Sequence, residues 1–469
     1  MKNLNLTKVF CLLWVICVAL TINSPAQVFN TIANFSGDNG FAPASAMIQG
    51  VKGDFYGTTL DEGIGSEGNV YTVTAGGSLT SIFNFCSNGC TNGQFPFNAP
   101  VLVDNGFLYG TTQGGGAALL GNVYKITAGG TESNVYSFCV TTCDDGANPT
   151  SALIQAGGNL YGTTTSTIFK MTPSGALTTL FNYCNPNCGV NGPPYPNGLV
   201  QGVDGNLYGT TGGGNFNQGT IFKITPSGTL TTLHSFSGAD GSAPSGALVQ
   251  GPNGDFYGET LTGGKTGSNC AAFGSCGTIF KITSSGTFTT LHKFSGSDGA
   301  NPSSGLVLGT DGNFYGVTSE NGPGDAGTIF QMNRAGKVTT LYSFCSQPGC
   351  QDGANPEGAL MQATSGTFYG TTKNGGTDTD GTIFSLSMGL GPFVQIMPSS
   401  DVVGATVIIL GNNLTGTTSV TFNGTAATFT VVSDTEITAT VPSGPRIGKV
   451  QVVTPGGTLT SNVPFRWLK

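Results

Sequence analysis

Charged side chains are scarce in this sequence: they make up 9% of 469 residues, with 16 Lys and Arg against 24 Asp and Glu, a formal net charge of −8. A chain so short of basic residues cannot neutralise a phosphate backbone, which excludes nucleic acid as a partner. Between residues 27 and 390 the only arginine is Arg334, so no arginine cluster exists there to grip a carboxylate as a sialidase must. Tryptophan is limited to Trp14 and Trp467, leaving any aromatic platform for a sugar ring to Tyr and Phe. Histidine is limited to His234 and His292. Long apolar runs are missing after the first residues. The run from Val9 to Ile22 follows Lys2 and Lys8 and ends at the small-residue stretch Ser24-Pro25-Ala26, the pattern of an export signal over 1–26. It is too short for a comfortable membrane span, and Ile16 before Cys17 argues against lipid attachment. The exported chain is expected to have no transmembrane helix. Without Lys2 and Lys8 it holds 14 basic against 24 acidic residues, a formal charge of −10.

Glycine is abundant, at 76 residues, and it separates regularly spaced aromatic and β-branched runs. That is turn-rich β structure and not disorder. The phrase "DGNLYGTT" (Asp204 to Thr211) returns as "KGDFYGTT", "GGNLYGTT", "NGDFYGET", "DGNFYGVT" and "SGTFYGTT". Its Tyr-Gly pair recurs at Tyr56, Tyr109, Tyr161, Tyr208, Tyr257, Tyr315 and Tyr369, with spacings from 47 (Tyr161 to Tyr208) to 58 (Tyr257 to Tyr315). Within one unit four strands follow one another: "GALVQG", "DFYGET", "GTIFKIT" and "TFTTLHKF". A period near ~50 residues with four strands is the pattern of a propeller blade, whose lone sheet cannot bury both faces until neighbours stack on it. The predicted fold is all-β, a seven-bladed β-propeller over 27–390. We label the strands a to d from the axis outward. The last unit stops after strand c at "GTIFSLS" (Gly381 to Ser387), and its missing strand stands at the other end as "NTIANFSG" (Asn30 to Gly37). Pairing of the two is expected to close the ring and remove an exposed edge. Residues 391–469 change pattern, to strands at immunoglobulin-like spacing with turns at Asn423-Gly424 and Gly456-Gly457, a separate β-sandwich.

Through "GTIFKITPSGTLTTLHSFSGADG" and "GNLYGTT" the units resemble the GloVer (Gloeo_Verruco) tandem repeat of exported bacterial proteins, over roughly Val28 to Met388. The tail is similar to an IPT/TIG domain through "GATVIILGNNL", "SVTFNGTAATFTVVSDTEITATVP" and "GKVQVVTPGG". The first resemblance implies a surface protein of the choice-of-anchor kind, although no anchor helix follows the sandwich. The second implies a binding or spacing module.

Propeller topology puts the a–b and c–d turns on one face and the b–c and d–a loops on the other. The a–b and c–d turns are short and uniform, whereas the b–c loops vary up to the insertion from Leu261 to Cys276, so recognition is expected on the loop face. Candidate ligand contacts there are Asp61, Glu62, Glu259, Lys265, Glu320, Asp325, Lys373, Asp378 and Asp380. These carboxylates read either as solvated loop acids or as an acid and base for glycoside hydrolysis. Glu259 stands out because it replaces the Thr of most units, and Val317 departs from the rule as well. "TDTDG" (Thr377 to Gly381) lacks the later Glu and regular oxygen spacing of a calcium loop, so no metal is assigned. Gln49, Gln155, Gln201, Gln250 and Gln362 end strand a in five units. They are candidates to line the channel for a polar ligand or water, or else to satisfy turn backbone groups. His234 and His292 occupy a position filled elsewhere by Phe83, Tyr136, Phe181 or Tyr342, and are read as packing rings.

Ten cysteines form five close pairs: Cys86/Cys90, Cys139/Cys143, Cys184/Cys188, Cys270/Cys276 and Cys345/Cys350. In an exported chain these read as loop-fixing disulfides; two CxxxC pairs on neighbouring blades could alternatively hold a metal. The expected function is that of a non-catalytic, exported, monomeric binding or structural module without a cofactor, its ligand a polysaccharide or surface protein. An extracellular glycan-active enzyme is the alternative.

Overall fold

The computed structural model describes residues 27–468 apart from 44, 62–66, 87–88, 104–105, 185–194, 214–217, 268–269 and 271–273. Each repeat forms one antiparallel four-stranded sheet, and there are seven. In blade 4 the strands are Val200–Gln201, Leu207–Thr211, Thr220–Ile224 and Leu230–Ser235. Between a and b, Asp204 holds the turn: its Oδ2 accepts the Tyr208 hydroxyl at 2.8 Å and its Oδ1 accepts the Asn206 N–H at 3.1 Å. Alternation within strand b then sends Leu207 into the seam with blade 3 and Tyr208 into the seam with blade 5. Tyr208 stacks on Phe256 of the next blade, ring centroids 3.9 Å apart. The same step closes the ring, with Tyr369 of blade 7 against Phe55 of blade 1 at 4.3 Å. The core therefore sits between blades, as seven apolar clusters each drawn mainly from neighbouring sheets. Gln49, Gln201, Gln250 and Gln362 end strand a as expected, whereas the strand of Gln155 runs one residue further, to Ala156; strand a is two residues in most blades, three in blade 3 and nine in blade 5 (Ser242–Gln250).

Blade 7 consists of Met361–Gln362, Phe368–Thr372, Thr382–Ser387 and, outermost, the N-terminal strand Val28–Asn34. The register runs from Val28 opposite Ser387 to Asn34 opposite Thr382, so the first strand of the chain completes the last blade as the sequence predicts. Phe29 carries the closure into the core, stacking on Tyr342 of blade 6 at 3.7 Å and 6°.

After the propeller, two four-stranded sheets and a three-stranded sheet enclose their own core, built around Val407, Ile409, Phe422, Val450 and Phe465. This sandwich sits on the a–b turns. Thr435 Oγ1 donates to the Val51 carbonyl (2.6 Å), Ser400 Oγ to Gln201 Oε1 (2.6 Å), Asn462 Nδ2 to the Leu308 carbonyl (2.7 Å) and Asn412 Nδ2 to Thr364 Oγ1 (2.7 Å). Ile408 and Leu410 join the apolar cluster of Tyr56, and Met397 packs at its edge. Because these contacts fall on blades 1, 4, 6 and 7, the sandwich lies across the ring and leaves the opposite loop face as the uncovered one.

Candidate functional site on the loop face

Threonine pairs tie the roots of the b–c loops. Thr211 and Thr220, Thr260 and Thr278, Thr318 and Thr328, and Thr372 and Thr382 each join strand b to strand c by hydroxyl contacts of 2.8–2.9 Å. Above these anchors each d–a loop pairs with the b–c loop of the next blade, as at Phe41 with Asp61, Ala300 with Glu320 and Ala354 with Asn374. The result is a stiff rim carrying loops of unequal length.

Symmetry breaks most at blade 5. Its strand b runs on to Thr262, pairing with Ser242 of a lengthened strand a, and the insertion that follows is closed by the Cys270–Cys276 disulfide. Both cysteines are buried, and Cys276 N–H donates to the Lys265 carbonyl at 3.2 Å. Between this loop and blade 4 lies an open cavity of about 440 Å³, lined by Gln218, Gly238, Ser242, Thr262, Gly263, Thr266 and Ser275. Ser275 Oγ accepts the Gly263 N–H at 2.8 Å, and Thr262 Oγ1 donates to the Ser242 carbonyl at 3.3 Å. Among the described residues, the side chains of Gln218, Ser242 and Thr266 have no hydrogen-bond partner. On the far side of the blade 4 b–c loop, Tyr195 is 51% exposed with a left-handed backbone, φ 49°. Blades 3, 6 and 7 have Asn148, Asn301 and Asn355 at that pre-proline position, each donating to a loop carbonyl of the preceding blade at 2.8–3.0 Å. A bulky ring is costly in such a backbone, by about 1–3 kcal/mol, and Tyr195 forgoes the asparagine's hydrogen bond as well.

The expected ligand contacts fall in different places. Asp61, Lys265, Asp325 and Asp378 are exposed on the rim, and Glu320 and Asp380 are half-buried. Lys373 is ion-paired with Glu357 at 3.2 Å. They belong to blades 1, 5, 6 and 7, and among the described residues no three His, Cys, Asp or Glu gather as a metal cluster. Glu62 lies outside the described residues. Glu259 is not a rim residue: it sits within strand b, 1% exposed, in the seam between blades 5 and 6. Its Oε2 accepts the Gly305 N–H at 3.0 Å and its Oε1 has no partner. Burial pushes the carboxyl up to about 8, partly offset by the Gly305 hydrogen bond. Gly316 of blade 6 makes room for it, since a Cβ there would come within 2.9 Å of Oε1.

The glutamines serve the turn face. Gln49 Oε1 accepts the Thr364 N–H (2.9 Å), Gln250 Oε1 accepts the Val203 N–H (3.0 Å), and Gln362 Oε1 accepts the Thr310 N–H (3.1 Å), each reaching the a–b turn of the preceding blade. Gln201 accepts from Ser400 of the sandwich, and both polar atoms of the Gln155 amide are buried without a partner. Three of the five amides thus act as blade-to-blade ties, under the sandwich. The histidines also tie: His234 bonds Asp240 (2.9 Å) while stacking on Phe288 at 3.8 Å, and His292 bonds Asp298 (2.7 Å). Disulfides join Cys86–Cys90, Cys139–Cys143, Cys270–Cys276 and Cys345–Cys350. Cys184 is disulfide-bonded too, and Cys188 lies outside the described residues. Sequence reasoning missed the cavity, because its walls come from three loops of two blades. The one available signal was the length of the insertion.

Among curated proteins none matches the chain. Solved structures share its fold at low identity. The extracellular domain of a chain described as a one-component system of B. thetaiotaomicron aligns at 14% identity and TM-score 0.52, over 92% of this chain and 52% of that one. That of a B. thetaiotaomicron chain described as a hybrid two-component system aligns at 13% and 0.53, with the same shares. This chain therefore spans about half the length of those proteins. A fungal alcohol oxidase of the AA5 family, solved in complex with copper, aligns at 12% and 0.53 over 95% of this chain and 100% of that one. In sequence, the Gloeobacter/Verrucomicrobia repeat matches residues 18–167 and 165–384, and the IPT/TIG domain matches residues 393–466. With blade count, closing strand and sandwich all in place, the chain belongs to the Gloeobacter/Verrucomicrobia repeat family and carries an IPT/TIG domain behind its propeller.

Proposed function

We infer that the protein is an exported, non-catalytic binding module of the cell surface or extracellular space, and that its ligand docks on the loop face. The observation that carries this reading is the contrast between the two faces. The turn face is uniform and covered by the sandwich, whereas the loop face is uncovered, varied, disulfide-braced and hollowed beside blade 5. Export is supported by the signal-like residues 1–26, by cysteines paired in close loops, and by likeness to domains described as extracellular. Among the described residues, no helix is long and apolar enough to cross a membrane.

Among the described residues, the two carboxylates that would test the glycan-active alternative stand on different blades. Glu259 is sealed in a seam, and Asp380 stands half-buried on blade 7. Nor do the residues fit a copper centre like that of the fungal oxidase. The two histidines stand on outer strands, each already bound to an aspartate.

A panel of soluble and insoluble polysaccharides, assayed for retention of the chain from Gln27 and for released reducing ends, tests the reading. Retention without release is expected. Release abolished by Asp380→Asn would overturn it in favour of the enzyme, and cell fractionation would check export.

A further inference from the structure

We propose that the cavity between blades 4 and 5 is a site for a neutral saccharide, one sugar unit of an uncharged glycan. The proposal rests on the reading of the loop face as a binding surface and names the class of ligand it takes.

The chemistry of the lining points to polyols. The Gln218 amide offers two donors and an acceptor, and the hydroxyls of Ser242, Thr266 and Ser275 can each donate and accept. Such groups match vicinal sugar hydroxyls, which need both roles at short spacing. The Gln218, Ser242 and Thr266 side chains are uncommitted within the described residues, so a ligand need not displace internal partners. An apolar ligand would strip water from these groups and return nothing, and is disfavoured. Among the described residues, the lining includes no Lys, Arg, Asp or Glu. A uronic acid or sialic acid would accordingly meet no counter-charge, and an amine no carboxylate.

Shape supports the same class. At about 440 Å³ the cavity falls within the ~300–1,000 Å³ range of small-molecule sites. Gly263 is fixed by contact: a Cβ there would come within 2.6 Å of the Gly238 carbonyl. The Cys270–Cys276 bond and the Thr260–Thr278 pair hold the wall before ligand arrives, which limits the ordering cost of binding.

Calorimetric titration of the chain from Gln27 with neutral gluco- and manno-oligosaccharides, and with uronic-acid oligomers of equal length, tests the proposal. At least one neutral series is expected to bind, and more tightly than any uronic series. Gln218→Ala and Thr266→Val, both at solvent-facing positions, are each expected to weaken it about tenfold or more with the thermal midpoint unchanged. Neutral-glycan binding that survives the Gln218→Ala/Thr266→Val double variant would overturn the site while leaving the binding-module reading intact. Equal or tighter binding of the uronic series would overturn the ligand class. Failure of every saccharide, with capture of a surface protein instead, would overturn this proposal and spare the broader one. Failure of both would remove both.

Discussion

At the scale of single residues, Glu259 makes a sharp departure from the repeat. In blades 1, 2 and 7 the equivalent Thr58, Thr111 and Thr371 donate their hydroxyls to a carbonyl of the next blade, at 3.2–3.3 Å. Glu259 puts a carboxyl in that seam with one oxygen unsatisfied. Its folded value of about 8 lies above the ordinary 4.5, so the folded state holds the proton more tightly than the unfolded chain does. The associated stability is present below about pH 4.5, declines as pH rises, and is lost once pH passes 8. Glu259→Thr is therefore expected to flatten this decline and to raise stability at pH 8.5 by ~1 kcal/mol or more, read from denaturant midpoints at pH 5 and pH 8.5. Asp298 acts in the opposite sense. Burial alone would raise it, but hydrogen bonds from His292 and from the Ser295 N–H and hydroxyl outweigh burial and hold it at about 2. Its contribution is present above the ordinary 3.8 and is lost as pH falls toward 2. Asp298→Asn should cost ~1–2 kcal/mol at pH 7 and narrow the gap to wild type at pH 2. The Tyr-Gly positions were legible in the sequence because the repeat supplied seven copies of one pattern. The burial of Glu259 was not, because whether the end of strand b lies in a seam or at the rim depends on how closely two blades approach. Equally, Gln49, Gln250 and Gln362 could be placed at the end of strand a by spacing alone, but their partners lie on other blades.

At the scale of elements, ring closure depends on one seven-residue strand. Without Val28–Asn34, strand Thr382–Ser387 would become an open edge and Phe29 would leave its stack on Tyr342. A chain beginning at residue 38 is expected to unfold at a lower temperature than one beginning at Gln27, and to aggregate on storage. An unchanged midpoint in calorimetry would refute closure by this strand. The expected pairing was legible because the last repeat visibly lacks a strand and the first has one too many. Loop shape was less accessible to sequence. The cysteine spacing identified the braces, but the wall that Cys270–Cys276 supports is formed jointly with Gly238 and Gln218 of other loops. Replacing both cysteines by serine should cost at most about 2 kcal/mol, because the closed loop is short, while weakening ligand retention more than stability.

At the scale of the whole molecule, the three arginines stand where the sandwich meets the propeller. Arg334, Arg446 and Arg466 are the only arginines in the sequence. Arg446 donates to the Asp204 carbonyl at 3.2 Å, and Arg466 lies against Gly205 in the same turn. Arg334 donates to the Gly312 carbonyl and shares a crevice of about 210 Å³ with Asp311, Lys449 and Asn462. Arg446 and Arg466 of the sandwich thus meet the turn bearing Asp204, beside the apolar contact that Ile408 and Leu410 make with blade 1. This arrangement leaves the loop face uncovered, as the proposed binding surface requires. Hydrogen–deuterium exchange of the chain from Gln27, with and without a saturating retained polysaccharide, tests that claim most directly. The account predicts protection confined to the loop face, centred on 237–242 and 261–277, with the a–b turn at 201–206 and the sandwich residues 399–412 unchanged. Protection on the turn and sandwich segments, with the loop face unaffected, would contradict it.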